Sequence, residues 1–178
     1  KNIGWFVEKY RQWSSYQPEE NAVMIAYASV YGDTENAAEI LAGKLAERGV
    51  RDVRLYDVSV THPSVIVAEA FRCSHLVFAS PTYNAGIFCN METALLDLKA
   101  HNLQKRTVAL IENGSWAATS GGQMKSIFDA MKNITVLPGI ISLRSSLREE
   151  QLTELDAMAD AIVGSMELSD EEKSEPGA

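Results

Sequence analysis

The chain has 178 residues, of which 46% are apolar, and this suits one globular domain with a sizeable core. No apolar run is long enough to span a membrane, so we expect no membrane partner. The formal net charge of −8 argues against a nucleic-acid partner, because phosphate contacts require a basic face. We expect a cytoplasmic protein, since the first residues lack the basic-then-apolar pattern of a secretion signal.

The cysteines and histidines show no metal or redox motif. Cys73 and Cys89 have no CxxC spacing, and we predict a buried, reduced pair. The histidines at 62, 75 and 101 are scattered along the chain, so we expect no metal site.

Residues 1–21 are predicted to form an N-terminal connector helix and linker. Apolar and aromatic residues recur at helical spacing over 3–16, and polar residues 17–21 follow. The helix either connects this chain to another domain or packs on this same domain, and the pattern is compatible with both.

Residues 22–166 alternate between strand and helix patterns. We predict strands at 22–28, 53–57, 74–80, 107–111 and 139–143, and helices at 35–48 and 62–72, at 90–100, from 120 and from 146. The last two helices carry capping-box spacings, Ser120 with Gln123 and Ser146 with Glu149. The alternation predicts the α/β class, with helices on both faces of a parallel sheet. Residues 167–178 are acidic and are predicted to be a disordered tail.

Ligands of such sheets lie beyond the carboxyl ends of the strands, so the loops after strands one, three and four carry the functional hypothesis. The first loop, 29–34, places hydroxyl side chains and Gly32 at a helix start and has no basic residue. A helix start can hold a phosphate through its unpaired N–H groups. The missing lysine argues against a Walker-type nucleotide site and favours a phosphomonoester cofactor. The alternative is an ordinary connection capped by Ser29 or Thr34.

The second and third loops contain aromatic residues that suit a planar ligand. Thr82, Tyr83 and Asn84 are adjacent and are able to stack on a ring and bond its polar edge. Trp116 lies in a loop of small residues, where a planar ligand gives it a stacking partner. The alternatives are a plain turn with Tyr83 packed inward, and a Trp116 that covers the adjacent helix or contacts a partner chain.

Together the three loops resemble those of one family. The first, of the form Ser-x-Tyr-Gly-x-Thr, is similar to the FMN loop of flavodoxins. Ser-Pro-Thr-Tyr-Asn at 80–84 and Asn-Gly-Ser-Trp-Ala at 113–117 resemble the flavodoxin-like domain of flavodiiron proteins (A-type flavoproteins), over about residues 5–165. The resemblance implies a flavodoxin-like three-layer sandwich around a five-stranded parallel sheet in the order 2-1-3-4-5. It also implies that the aromatic helix is the connector from the family's preceding domain.

The resemblance further implies an FMN site. It assigns the phosphate to Ser29, Tyr31, Gly32, Asp33 and Thr34, one side of the ring to Pro81, Thr82, Tyr83, Asn84 and Gly86, and the other side to Asn113, Gly114, Ser115, Trp116 and Ala117. Two positions depart from the family pattern. Asp33 stands where asparagine is frequent, which brings a carboxylate near the phosphate, and Trp116-Ala117 replaces a Tyr-Gly pair.

The function implied by the resemblance is electron transfer. FMN accepts electrons from a reductase or rubredoxin-like donor and passes them to a diiron domain, which on a homo-oligomer lies on a neighbouring subunit. The family's diiron domain is not among these residues, so we expect an excised domain or a free-standing relative that is not catalytically complete alone. We expect no catalytic acid, base or nucleophile. The alternatives are a free-standing flavodoxin electron carrier and an FMN-dependent NAD(P)H:quinone oxidoreductase. A phosphate-receiving regulator of the same fold is disfavoured, because Ser29 and Ser80 occupy the positions where it needs acids.

Overall fold

The computed structural model describes residues 3–174, with side chains described as far as residue 166. Its helices are α1 (Ile3–Ser14), α2 (Asp33–Glu47), α3 (Pro63–Arg72), α4 (Cys89–Ala100), α5 (Ser120–Asp129) and α6 (Glu149–Ser174). Its strands are β1 (Glu20–Tyr27), β2 (Val53–Asp57), β3 (Cys73–Tyr83), β4 (Gly86–Ile87), β5 (Arg106–Asn113), β6 (Ile134–Val136) and β7 (Ile141–Leu143).

The sheet is parallel, apart from the short strand β4, and runs in the order β2-β1-β3-β5-β6. Strand β7 also pairs with β5, beyond the end of β6, so that β6 and β7 together form the fifth strand. The predicted order 2-1-3-4-5 is therefore confirmed. In register, Ile25 of β1 lies opposite Leu55 of β2 and Val77 of β3.

Helices cover both faces of the sheet, which gives three layers and two hydrophobic cores. Along β1, Met24 and Ala26 pack toward α3, α4 and α5, whereas Val23 and Ile25 pack toward α2 and α6. All four side chains are fully buried. This explains why β1 is a continuous apolar run, since a central parallel strand faces a core on each side.

The fifth strand differs from its predicted span of 139–143. Strand β7 starts at Ile141, and β6 at 134–136 was missed. Between them Pro138 lacks a backbone N–H, and Gly139 has a φ of 85°, so the chain leaves the strand conformation there. The two pieces share one neighbour, and the sequence pattern of each is too short to predict alone.

The third strand extends further than predicted and turns back on itself. Strand β3 runs to Tyr83 and pairs antiparallel with β4 through a two-residue turn at Asn84 and Ala85. Both turn residues have positive φ, 49° and 60°, as a tight hairpin of the primed type requires. The second predicted loop is therefore largely a rigid hairpin.

Both predicted capping boxes are wrong. Helix α5 has Thr119 at its cap position, while the Ser120 hydroxyl donates to the carbonyl of Ser80. Gln123 reaches away from the helix start and donates to the carbonyl of Ala85. Helix α6 begins only at Glu149, the residue that was expected to complete the second box. Tertiary contacts thus decide the start of α5, whereas at α6 the N–H of Arg148 donates to the Gln151 side chain at 2.8 Å.

Two further predictions need correction. The backbone of α6 continues to Ser174, so most of the predicted disordered tail is helical, while residues 175–178 lie outside the described residues. Cys73 is buried, and burial raises the pKa of its thiol to about 12. Cys89 is exposed at the start of α4, so the two cysteines are not a buried pair.

Helix α1 lies at the outside of the domain, and none of its residues is buried by the described chain. The Trp13 indole and the Lys9 ammonium both bond the carboxylate of Glu19, just before β1. Among residues 3–174 no helix has the length and hydropathy needed to cross a bilayer.

Candidate functional site

The loops after β1, β3 and β5 meet at the carboxyl edge of the sheet and enclose a cavity of about 240 Å³. A further loop, which follows β7, reaches the same cavity. Its walls consist of Ser29, Val30, Tyr31, Asp33, Thr34, Pro81, Thr82, Tyr83, Asn113, Gly114, Ser115 and Ser145. Ten of the predicted cofactor residues are in this set. The cavity lies where parallel α/β sheets bind ligands.

A second cavity of about 350 Å³ adjoins the first and shares Thr82, Gly114 and Ser115 with it. Its other walls are Ala85, Trp116 and Ala117. The structure thus brings twelve of the predicted residues to two connected hollows. The remaining three, Gly32, Asn84 and Gly86, line neither of them. Larger hollows lie elsewhere, but those lack this convergence of hydroxyl, amide and aromatic groups.

The N-terminus of α2 is open toward the first cavity. Gly32 caps the helix with a φ of 90°, and the Ser29 hydroxyl accepts its N–H at 3.0 Å. The first intrahelical bond runs from the N–H of Asn36 to the carbonyl of Gly32. Within residues 3–166, where backbone and side chains are both described, no atom accepts from the N–H groups of Asp33, Thr34 or Glu35. These donors, together with the helix dipole, suit an anion.

The N-terminus of α5, which begins beside the same cavity, is closed by the protein itself. The Thr82 hydroxyl accepts the N–H groups of Thr119 and Ser120 at 2.9 and 3.2 Å. The buried carboxylate of Glu112 accepts the N–H of Gly121 at 2.8 Å and the Ser142 hydroxyl at 2.6 Å. A carboxylate side chain already occupies this helix end. Of the two helix N-termini, only that of α2 is therefore open to an anion.

The first turn of α2 is fixed on β1 by a tyrosine. The hydroxyl of Tyr27 donates to the Glu35 carboxylate at 2.9 Å. Burial and this bond raise the Tyr27 pKa to about 12, so the hydroxyl keeps its proton at neutral pH. The open N–H groups therefore sit on an anchored helix end.

The walls of the first cavity contain one charged side chain, Asp33, and no lysine or arginine. Ser29 and Ser115 contribute hydroxyls. Ser29 accepts one bond and keeps its own proton for donation. A phosphate here would be held by dipoles rather than by a cation.

Asn113 ties three segments together instead of pointing a free amide into the cavity. Its side-chain NH₂ donates to the Thr34 hydroxyl at 3.3 Å and to the Ser145 carbonyl at 3.0 Å. Its side-chain oxygen accepts the Ser145 N–H at 3.0 Å. Asn113 and Thr34 are both buried, so these contacts form the floor of the site.

Large aromatic side chains stand at the rim. Trp116 and Tyr31 are 101% and 91% exposed, and Tyr83 is half-exposed with its ring edge against Phe88. The alternatives in which Trp116 covers a helix or Tyr83 packs inward therefore do not hold in this chain. Such exposure leaves these rings available to a planar partner.

Three cavity residues were not predicted from the sequence: Val30, Ala85 and Ser145. Val30 and Ala85 lie within loops that were singled out, but their side chains carry no polar group. Ser145 follows β7, and its place beyond the end of a parallel strand is the signal that indicates a ligand site there. Among the described residues, no three histidine, cysteine or acidic side chains lie together as a metal site.

Known proteins share the sequence pattern and the fold of this chain. A family profile described as Flavodoxin matches residues 25–138. An uncharacterized protein of Methanocaldococcus jannaschii is 28% identical over 151 residues, which is 84% of this chain and 38% of that protein. The chain therefore spans well under half the length of this relative.

Two solved structures share the fold. Rubredoxin oxygen:oxidoreductase of Desulfovibrio gigas superposes with a TM-score of 0.87 at 22% identity, covering 93% of this chain and 41% of that one. An archaeal flavodoxin superposes with a TM-score of 0.71 at 17% identity, covering 82% of this chain and 99% of that one. The chain thus belongs to the flavodoxin family, and its homologues include flavodiiron proteins, of which it matches the flavodoxin portion alone.

Proposed function

We propose that this chain is a cytoplasmic FMN-binding domain that passes electrons from a reductase or rubredoxin-like donor to the diiron domain of a flavodiiron protein. The observation that carries the proposal is the open N-terminus of α2 beside a cavity rimmed by exposed aromatic rings. A phosphomonoester attached to a planar ring matches both features. When bound, FMN supplies the electron-accepting and electron-donating chemistry, and the protein supplies position and electrostatics.

The residues present fit an FMN phosphate. The free N–H groups of Asp33, Thr34 and Glu35 are donors for its oxygens, and the Ser29 hydroxyl has a proton to donate. No cation stands in the cavity wall to attract a second phosphate, which favours a monophosphate over a nucleoside di- or triphosphate.

The residues present also fit a flavin ring. The two cavities share their central wall, and their volumes of about 240 and 350 Å³ together fall in the size range of small-molecule sites. Trp116 and Tyr83 are the aromatic candidates for stacking, and Tyr31 stands beside the phosphate end of the site. Trp116 is fully exposed and Tyr83 half-exposed, which places this end of the site at the protein surface, where a partner protein can exchange electrons.

The share of this chain that each solved structure covers supports the proposal that the chain is one domain of a larger protein. The oxidoreductase covers 93% of this chain and the single-domain flavodoxin 82%, a difference of about 20 of the 178 residues. That is close to the length of α1 with its linker, which precedes β1 at Glu20. The exposed aromatic face of α1 suits a helix that contacts something outside the described chain.

Replacing Asp33 by asparagine is expected to tighten FMN binding roughly two- to tenfold. The change removes a like-charge repulsion of about 0.5–1.5 kcal/mol between the carboxylate and the phosphate. Titration at low salt, with flavin fluorescence as the signal, measures the dissociation constant. Riboflavin, which has no phosphate, should bind the two proteins equally. Glu47→Gln makes the same charge change at the far end of α2, about 20 Å away, and should have little effect. A D33N variant that binds FMN no more tightly contradicts the phosphate position.

Replacing Trp116 by alanine should raise the FMN dissociation constant roughly two- to tenfold, since aromatic stacking contributes about 0.5–1.5 kcal/mol beyond area burial. The stability of the flavin-free protein should stay within about 0.5 kcal/mol, because the Trp116 side chain is fully exposed. Trp5→Ala removes an exposed tryptophan on α1 and is the matched control. Unchanged FMN affinity and redox potential in W116A would refute the stacking role.

Reduction of the FMN-loaded chain tests the electron-transfer role. We expect bleaching of the visible flavin bands by NADH only when a rubredoxin and its reductase are added. Steady NADH oxidation by the chain alone with a quinone would instead favour the quinone oxidoreductase.

A truncated chain that starts at residue 15 separates the remaining alternatives. It keeps Tyr16, whose carbonyl the Arg106 guanidinium bonds. If the truncated chain still binds FMN fully and is reduced by the donor but no longer passes electrons to a diiron domain, the helix is a connector. If the truncated chain passes electrons to unrelated acceptors as well as the full chain does, the protein is a free-standing carrier.

A further inference from the structure

Ser145 has an unusual backbone conformation at the edge of the first cavity. Its φ is 67°, in the left-handed region that non-glycine residues rarely adopt. The residue lies two positions after the end of β7, in a loop that contributes this one residue to the cavity wall. Such a conformation costs free energy and persists where surrounding contacts require it.

The surrounding contacts explain the conformation. Both backbone groups of Ser145 face the same Asn113 side chain, with the N–H donated to its oxygen and the carbonyl accepting from its nitrogen, each at 3.0 Å. The Ser145 hydroxyl lies 2.9 Å from the Ser115 hydroxyl. The N–H of Gly114 donates to the carbonyl of Leu143 at 3.1 Å. The loop after β7 is thus hydrogen-bonded to Asn113, Gly114 and Ser115. The last two of these residues begin the loop 114–119 between β5 and α5, which we call the Trp116 loop.

The opposite end of the Trp116 loop is held as well, because Thr82 accepts the N–H of Thr119. Between these two attachments, Ser115, Trp116 and Ala117 are exposed. The hydrogen bond between the hydroxyls of Ser145 and Ser115 lies at the start of this exposed segment. It therefore fixes the position from which Trp116 and Ala117 extend.

We infer that Ser145 is a positioning residue for the ring wall of the site. Its left-handed backbone aims the hydroxyl at Ser115, and this sets the direction of the Ser115–Ala117 segment against a bound ring. The inference rests on the proposed FMN site, since it assigns Ser145 a part in that site. It adds a fourth loop to the site, with a role that acts through Ser115.

Two substitutions separate positioning from a structural role. Ser145→Ala removes the hydroxyl and keeps the backbone strain, whereas Ser145→Gly removes the hydroxyl and relieves the strain. We expect both to raise the FMN dissociation constant about fivefold, the size of one lost hydrogen bond. The S145G protein should nevertheless unfold in urea at the same or a higher midpoint. If Ser145 were purely structural, each substitution would instead lower the FMN affinity in proportion to the loss of protein stability. Ser146→Ala, at the exposed neighbour, is the control and should change neither quantity.

A double-mutant cycle tests the route. If Ser145 acts through Ser115, then S145A has no further effect on FMN affinity once Ser115→Ala is present. In the flavin-free protein, hydrogen exchange at the Gly114 and Ser145 amides should speed up in S145A, because both are hydrogen-bonded in this corner. Unchanged exchange, or additive effects in the cycle, overturns the inference while leaving the FMN site intact. A wild-type chain that binds no FMN overturns the proposed function, and the exchange rates still decide whether Ser145 holds the loop.

Discussion

Alanine at position 114 is expected to weaken FMN binding roughly 10- to 100-fold, which corresponds to the ~1–3 kcal/mol cost of forcing an extra group into a packed position. A Cβ on Gly114 would lie 2.9 Å from the carbonyl oxygen of Ala117 and 3.0 Å from the Cα of Ala118. These are backbone atoms that cannot rotate away, so the turn must open. Gly114 lines both cavities, and the opening moves their shared wall.

The effect should appear in affinity more than in stability. The Trp116 loop is exposed and can shift, whereas the sheet beneath it is buried. Flavin titration and urea unfolding of the same preparation separate the two quantities. Gly43→Ala and Gly164→Ala are matched controls on α2 and α6, where an added Cβ meets nothing within 4 Å. Each should leave FMN affinity unchanged and stabilise the helix by up to ~1 kcal/mol. A G114A protein with wild-type affinity would show that the loop does not contact the ligand.

The second large effect is expected far from the site, at Arg106. Its guanidinium is buried and donates to the carbonyls of Ala70 and Phe71 at the end of α3, and to those of Tyr16, Gln104 and Lys105. Among the side chains described, residues 3–166, no carboxylate forms an ion pair with it. Burial lowers its pKa to about 10, so it is still charged at neutral pH.

Arg106→Leu should lower the free energy of unfolding by roughly 2–4 kcal/mol, because it leaves five buried or partly buried carbonyls without this donor. Urea denaturation at neutral pH measures the loss. Arg106→Lys, which keeps the charge and fewer donors, should recover part of it, and Arg144→Leu at an exposed position should cost little. Folded R106L should keep its FMN affinity, since Arg106 begins β5 and the cavity lies about 20 Å away at its other end. A loss below ~1 kcal/mol would contradict the role given to this side chain.

Local pattern was sufficient to predict most of the framework. The apolar run at 22–28 marks a central strand, and the punctuation at Gly49 and Pro63 falls where α2 ends and α3 begins. The sheet order followed from a resemblance in three loops. Fifteen cofactor residues were predicted from those loops, and twelve of them line the two cavities.

What escaped prediction depends on contacts between distant segments. Thr82 looked like a ligand contact, yet its hydroxyl closes the start of α5, and Ser120 bonds β3 instead of its own helix. Asn113 likewise uses its amide on Thr34 and Ser145, which are 79 and 32 residues away in the chain. Arg106 begins β5, and nothing in its sequence neighbours indicates that five carbonyls converge there. Such pairings arise from the fold and leave no local periodicity.

Titration of the purified, flavin-free chain with FMN and with riboflavin tests whether the cavity at α2 is a flavin phosphate site. We expect saturable binding of one FMN per chain, with quenched flavin fluorescence, and binding of riboflavin that is at least about tenfold weaker because it lacks the phosphate held at α2. Equal affinity for the two flavins would contradict the role of the open helix end. Absence of binding by either would contradict the FMN site itself.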